Sequence, residues 1–142
     1  MPGGDGRVYL VDKSALEQRR RNEDARNLLA LLLGDGALAT CHVIALEVLY
    51  SARNVADYEI LRADLAVLPW LPVTADAMNR ALAVQHALAQ RGQHRLPLPD
   101  LIIAATAELG GATVLHYDHD YDVIAGVTGQ PTQWIVARGA GG

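Results

Sequence analysis

Short apolar runs alternate with longer segments of helical periodicity along this chain, and that alternation limits its fold more than any other feature. The predicted strands lie at 8–11, 37–41, 113–117 and 132–137, with a brief proline-bounded edge strand at 69–73. The predicted helical segments lie at 14–33, 42–53, 55–68, 74–92 and 97–111, with a short helical turn at 121–127. Strands separated by helices pair in parallel, because the helix supplies the crossover. The sequence therefore predicts an α/β fold, a three-layer α/β/α sandwich with a mostly parallel central sheet.

The length predicts one domain spanning 1–142, with a core at about 7–137 and Gly-rich tails at 1–6 and 138–142. Its single cysteine, Cys41, excludes an internal disulfide framework. No apolar run approaches the ~20 residues of a membrane span, and the start lacks the pattern of a secretory signal. We therefore expect a cytoplasmic protein without a membrane partner, although secretion is not excluded. The net charge of −4 argues against a general nucleic-acid coat, but it allows a nuclease whose acids bind metal.

Four acidic residues stand where an isolated carboxylate is costly. Asp12 follows the first strand and Asp118 follows the strand at 113–117, so a parallel sheet would place both at the edge where α/β sites lie. Glu47 stands among apolar neighbours in its helix, and Asp100 directly precedes the apolar run LIIAATA. Because a buried carboxylate needs a partner or a metal ion, these acids are candidates for one cation-binding site.

Each of these acids also has a structural alternative. Asp12 could be a turn residue that ends the strand, and Asp100 could be an ordinary helix N-cap. Glu47 could lie on a narrow solvent-exposed stripe of its helix, and the run DHDYD at 118–122 could be a solvated Asx-rich loop. The spacing alone leaves these alternatives open.

Other chemistries fit less well. The DHDYD run is not a calcium loop, because Val123 and Gly129 stand where the turn glycine and the bidentate glutamate are required. The cysteine and histidines lack zinc-ligand spacing, and no G-x-S-x-G nucleophile motif occurs.

Four segments in order carry a resemblance to a known family: VYLVDKSAL, ALEVLYSA, LPLPDLIIAATA and VLHYDHDYDVIA. Their order and spacing resemble those of a PIN domain, most closely the VapC toxins of bacterial type II toxin–antitoxin pairs, over about residues 7–137. The resemblance implies a PIN-type sandwich and a divalent-metal-dependent endoribonuclease. It also implies that a small VapB antitoxin binds and inhibits the toxin.

The resemblance also assigns roles to individual residues. The catalytic acids fall on Asp12, Glu47, Asp100 and Asp118, of which we expect Asp12, Asp100 and Asp118 to be metal ligands. Ser14 and Asp120 match supporting positions of the family motifs. We expect Lys13, Arg19 and His116 to contact substrate, and two of them depart from the family, since many relatives have Thr or Ser at position 13 and Thr at position 116.

Oxygen ligands of this kind suit Mg²⁺ or Mn²⁺, which keep several waters for substrate. The ion would hold the clustered acids ionised and activate a water to hydrolyse the RNA phosphodiester, so no protein nucleophile is needed. The alternative from another class is a catalytically inactive PIN-like binding module, which an RNA cleavage assay with and without chelator distinguishes.

The helices at 42–53 and 55–68 carry apolar side chains on more than one face. A core of this size buries only part of them, so we expect a groove that suits an amphipathic helix. An arginine of the antitoxin could enter the acidic site from such a groove. A homodimer is the other expected use of these faces.

Overall fold

The computed structural model describes residues 6–139, within which the central element is a four-stranded sheet. Its strands are β1 (Tyr9–Val11), β2 (Leu38–Ala39), β3 (Thr113–His116) and β4 (Thr132–Trp134). Their spatial order is β2-β1-β3-β4, and every pairing in this sheet is parallel. The predicted parallel sheet is therefore confirmed. Most residues of the predicted Gly-rich tails, 1–5 and 140–142, lie outside the described residues.

Seven helices connect the strands within residues 6–139: α1 (Lys13–Gln18), α2 (Glu23–Gly34), α3 (His42–Tyr50), α4 (Val55–Ala66), α5 (Ala75–Ala89), α6 (Leu98–Leu109) and α7 (Asp120–Thr128). The helical region predicted at 14–33 forms two helices, α1 and α2, separated by residues 19–22. The backbone of Asn22 is extended (φ −139°), and its side chain accepts a hydrogen bond from the amide of Ala25 at 3.0 Å. Asn22 thus caps α2, because its side chain replaces a missing backbone acceptor, whereas α1 already ends at Gln18 with Arg19 as its C-cap.

The edge strand predicted at 69–73 is reduced to one parallel bridge between Thr40 and Trp70. Prolines at 69 and 72 flank the bridge, and a proline cannot donate a hydrogen bond to a sheet. The bridge pairs Trp70 with Thr40, the residue directly after β2, but no full strand forms there.

The sheet separates two hydrophobic clusters, as a three-layer sandwich requires. Alternate side chains of β1 enter opposite clusters, since Leu10 joins one and Tyr9 and Val11 join the other. The first cluster contains buried residues of α5, α6 and α7, and the second contains buried residues of α1 and α2. This arrangement confirms the predicted α/β/α class.

The pairing of β1 with β3 brings distant parts of the chain to one edge of the sheet. Val11 is paired with Leu115, and the amide of Asp12 donates to the carbonyl of Leu115 at 2.9 Å. The carboxyl ends of both strands therefore meet, as the strand-end argument predicted. Among residues 6–139, no helix combines the length and apolar character needed to cross a bilayer.

Candidate metal centre

Asp12 is the first residue after β1, and it is the N-cap of α1. Its Oδ2 accepts hydrogen bonds from the amide of Ser14 at 3.0 Å and from the Ser14 hydroxyl at 2.6 Å. The Ser14 oxygen accepts from the amide of Tyr117 at 2.9 Å, which joins the ends of β1 and β3. Asp12 therefore does act as a turn residue, and Ser14 holds its carboxylate by two hydrogen bonds. The two hydrogen bonds from Ser14 occupy Oδ2 and leave Oδ1 free for a second role.

Asp118 and Asp120 lie between the end of β3 and the first turn of α7. Asp118 Oδ1 accepts a hydrogen bond from the amide of Asp120 at 2.9 Å, which is an Asx turn. Both side chains are half-buried. Burial raises the pKa of Asp120, and the negative charge of Asp118 raises it further. The run thus contains the Asx turn that the structural alternative required, but it is not a fully solvated loop.

Asp100 lies in the first turn of α6 and is almost completely buried. It is not the N-cap, because that position belongs to Pro97, so the N-cap alternative is wrong. Burial is the main reason that the pKa of Asp100 rises to about 8, and the negative charges of Asp12 and Asp118 add to the effect. Its environment therefore opposes ionisation unless a positive charge is present.

Three carboxylates converge closely enough to share one cation. Asp100, Asp118 and Asp120 each offer an oxygen, and these oxygens all lie within 4.8 Å of one another. Oδ2 of Asp100 is buried and has no hydrogen-bond partner among the described residues. A buried acceptor without a donor is costly, and a bound cation would satisfy it. Because hard divalent cations take oxygen ligands, these residues fit such an ion.

The predicted ligand set overlaps with this cluster but is not identical to it. Asp100 and Asp118 belong to both sets, whereas the third member of the close cluster is Asp120 and not Asp12. Asp12 approaches the cluster through Tyr121, whose hydroxyl donates to Asp12 Oδ1 at 2.8 Å and lies 3.4 Å from Asp100 Oδ1. Tyr121 was not among the predicted site residues. Burial, together with the charge of Asp12, raises the pKa of Tyr121 well above its ordinary value.

Glu47 lies on α3 at the margin of the site. Burial and then the charge of Asp12 raise its pKa, while the positive charge of Lys13 lowers it. Its apolar sequence suggested a helix buried on all sides. The structure differs, since Leu46 and Tyr50 are 67% and 90% exposed. Glu47 itself is half-buried and stands outside the close carboxylate cluster. Its predicted catalytic role stays a prediction.

His116 does not fit the substrate-contacting role predicted for it. The side chain is fully buried, with its ring 5.0 Å from the ring of Tyr121 and 5.1 Å from that of Trp134. Its Nδ1 accepts from the amide of Asp118 at 3.1 Å, so the ring supports the backbone of the site. Burial lowers the pKa of His116, which favours the neutral ring that this contact requires.

Lys13 and Arg19 line a cavity of about 360 Å³ between α1, α3 and α4. Lys13 Nζ lies 3.5 Å from Glu17 Oε1, and Arg20 and Arg53 add two further cations to the lining. Because Lys13 directly follows Asp12, this basic cavity begins beside the acidic cluster.

This chain combines a parallel α/β/α sandwich with carboxylates from the ends of β1 and β3 and from α6. Together, the fold and the acids are characteristic of one class of protein. The sequence profile of the PIN domain matches residues 9–127. Solved structures agree in fold: a chain of DNA-bound VapBC from Salmonella typhimurium superposes with a TM-score of 0.74 at 15% identity, covering 92% of this chain and 99% of that one. A chain of VapBC-1 from nontypeable Haemophilus influenzae gives 0.73 at 14% identity, covering 90% and 98%.

Proteins of similar sequence identify the group within the PIN-domain class to which this chain belongs. Ribonuclease VapC18 of Mycobacterium tuberculosis is 46% identical over 135 residues, which are 93% of this chain and 98% of that protein. Ribonuclease VapC51 of the same organism is 44% identical over 131 residues, which are 92% and 95% of the two chains. This chain belongs to the VapC group of PIN-domain proteins.

Proposed function

We propose that this chain is an endoribonuclease that depends on Mg²⁺ or Mn²⁺, and that it is the toxin of a VapBC-type pair. The observation that carries the proposal is the cluster of Asp100, Asp118 and Asp120, with the unsatisfied buried oxygen of Asp100. The high identity to ribonucleases VapC18 and VapC51 over nearly the whole chain supports RNA as the substrate.

Asp100, Asp118 and Asp120 would hold the ion, with Asp12 beside them. A bound divalent ion supplies positive charge for the phosphate oxygens and activates a water for attack. The carboxylates would fix the position of the ion, and Glu47, at the margin of the site, is our candidate for accepting a proton from the attacking water.

Hydrolysis by water is favoured because the nearby protein nucleophiles are engaged. The Cys41 thiol is fully buried, and burial raises its pKa, which disfavours a thiolate. The Ser14 hydroxyl donates to Asp12 and accepts from the amide of Tyr117, so it is held in a structural role.

The basic cavity gives the RNA backbone a path to the acids. Lys13 lies beside Asp12, and Arg19, the C-cap of α1, lines the same cavity. Phosphate groups bind cations of this kind without reading the base sequence. We therefore assign Lys13 and Arg19 to phosphate contacts upstream or downstream of the cleaved bond.

A larger apolar groove continues from the basic cavity and suits an inhibitor. Its volume is about 620 Å³, and leucines from α1, α2, α4 and the segment that follows α4 line it: Leu16, Leu29, Leu33, Leu61, Leu65 and Leu68. Leu16, Arg19, Val48 and Leu61 line both cavities, so the two are contiguous. An amphipathic helix of a VapB-type antitoxin in this groove could direct a basic residue to the acids.

The nuclease proposal is tested by incubating purified chain, free of partner, with single-stranded RNA and Mg²⁺ or Mn²⁺, and then with chelator. We expect cleavage that the chelator abolishes and that Asp118→Asn lacks. If protein that is fully loaded with metal leaves the RNA intact, the result favours the inactive binding module instead.

The partner proposal needs a separate test. Co-expression with the adjacent open reading frame is expected to give a complex that co-purifies and does not cleave RNA. A neighbouring product that fails to co-purify, or leaves cleavage unchanged in the complex, contradicts the antitoxin while leaving the nuclease intact. Sedimentation velocity of the free chain tests the predicted homodimer.

A further inference from the structure

We propose that Tyr121 is a positioning residue of the acidic site, whose hydroxyl holds the Asp12 carboxylate, beside Asp100, in the orientation that supports metal binding. The inference deepens the proposed function and rests on it, because it assigns a role within the same metal site. Tyr121 is not a catalytic residue, since its side chain is fully buried and cannot touch substrate.

The ring of Tyr121 reaches the acids from behind the site. Tyr121 is in the first turn of α7, and its ring packs in the same hydrophobic cluster as Leu10 and Val114 of the sheet. Its hydroxyl lies between carboxylates from two other elements, 2.8 Å from Asp12 Oδ1 and 3.4 Å from Asp100 Oδ1. One oxygen atom thereby links the end of β1, the start of α6 and the start of α7.

The bond to Asp12 completes the set of donors around that carboxylate. Its Oδ2 already accepts two hydrogen bonds from Ser14, so the bond from Tyr121 to Oδ1 fixes the carboxylate plane. A hydroxyl has one proton, and the shorter contact with Asp12 is the favoured one.

Removal of the hydroxyl would leave a buried oxygen of Asp12 without its donor. The carboxylate could then rotate, which weakens its ability to act beside a cation. Partners that orient metal ligands typically contribute about 10–100-fold to metal affinity or activity. We therefore expect Tyr121→Phe to keep the fold and to weaken Mn²⁺ binding by about 10–100-fold.

Tyr9 provides a matched control. It is also a fully buried tyrosine, and its hydroxyl has no hydrogen-bond partner among the described residues. Tyr9→Phe removes the same atom from the core of β1 without removing a bond to a carboxylate. Its Mn²⁺ affinity is expected to equal that of the wild type.

The test measures three quantities on the purified chain without partner. Mn²⁺ affinity is followed by the electron paramagnetic resonance signal of free Mn²⁺, melting temperature is measured in EDTA, and kcat and KM are measured with single-stranded RNA. For Tyr121→Phe we expect weaker Mn²⁺ binding and a lower kcat at limiting Mn²⁺, with KM for RNA unchanged. An unchanged Mn²⁺ affinity in folded Tyr121→Phe overturns the inference.

Two further variants keep the test decisive if Tyr121→Phe fails to fold. Replacement of Tyr121 by 4-aminophenylalanine keeps a donor at the same point, whereas 4-methylphenylalanine keeps the size and removes the donor. We expect the amino variant alone to retain Mn²⁺ affinity, and equal affinities would contradict the role. A wild-type chain that neither binds Mn²⁺ nor cleaves RNA overturns the proposed function as well, which separates the two failures.

Discussion

The side chain of Asp118 fixes the backbone of Asp120, because its Oδ1 accepts the Asp120 amide at 2.9 Å. Two acids of one cluster are thus held close together by a hydrogen bond that either an aspartate or an asparagine can make. The charge of Asp118 and its role as an acceptor can therefore be separated by mutation.

For Asp118→Asn we expect RNA cleavage to fall by more than about 100-fold, since a ligand charge is lost, while the Asx turn persists. Asp118→Ala loses both, and its metal-free form is expected to be about 1 kcal/mol less stable than that of Asp118→Asn. Thermal denaturation in EDTA and a cleavage assay check the pair. Equal stabilities would show that the turn does not depend on the Asp118 side chain.

Asp12→Asn is expected to abolish cleavage and to leave the fold intact, because asparagine can still accept from Ser14. Mn²⁺ is expected to raise the melting temperature of the wild type, since an ion that binds the native state stabilises it by mass action. In the Asp12→Asn/Asp118→Asn double variant this rise should disappear. An undiminished rise would mean that the ions bind elsewhere.

The raised pKa of Asp100 predicts how the stability of the metal-free protein depends on pH. The folded pKa of about 8 exceeds the ordinary 3.8, so the native state binds more protons than the unfolded chain between these values. The contribution is complete below the unfolded pKa and is lost as pH rises through the folded one. Melting temperature in EDTA should therefore fall across this window, and Asp100→Asn should flatten the dependence.

The same shift predicts that Mn²⁺ binding strengthens as pH rises toward 8, because the ion must displace the proton of Asp100. Calorimetry in buffers of different ionisation enthalpy measures the protons released. Binding that is independent of pH in the wild type would contradict Asp100 as a ligand.

Lys13→Ala is expected to raise KM for RNA and to leave kcat little changed, because a phosphate contact acts before and during the reaction alike. Arg62→Ala is the matched control, since Arg62 is an exposed cation on α4 outside the lining of the basic cavity. The difference between the two variants should shrink at high salt. An equal loss in both would indicate a general charge effect.

Leu33→Glu tests the apolar groove as the antitoxin site. Leu33 lines the groove and is 51% exposed, so a charge there should block an apolar partner helix without harming the free chain. Leu109→Glu is the control, because Leu109 is 53% exposed at the end of α6 and does not line the groove. We expect co-purification with the neighbouring product to be lost in Leu33→Glu alone, with RNA cleavage retained.

The sequence was sufficient to predict the layers and the edge of the sheet that carries the acids. Strand and helix periods differ, so their alternation was visible, and parallel strands place their carboxyl ends together. Asp12 and Asp118 were located by that rule alone. The acidic run Asn22–Glu23–Asp24 indicated a helix start, and α2 begins there with Asn22 as its N-cap. The end of α1 at Gln18 was not predicted, because Arg19–Arg21 do not interrupt the helical pattern.

Residues that act through tertiary contacts could not be predicted from the sequence. Tyr121 resembled an ordinary core aromatic, and its hydroxyl gained a role once β1 and α6 were packed against α7. His116 was predicted to contact substrate, yet it is buried, because both faces of β3 are covered.

The pairing of Tyr9 with Thr113 has a consequence for biosynthesis. The chain leaves β1 toward β2 on one side and returns to β3 on the other, so the site is closed by contacts between the first and last parts of the domain. A nascent polypeptide therefore carries no complete acidic cluster until β3 and α7 have emerged from the ribosome. Truncated products that lack the last third of the chain should be harmless to the cell that makes them, even if their remaining helices and strands form.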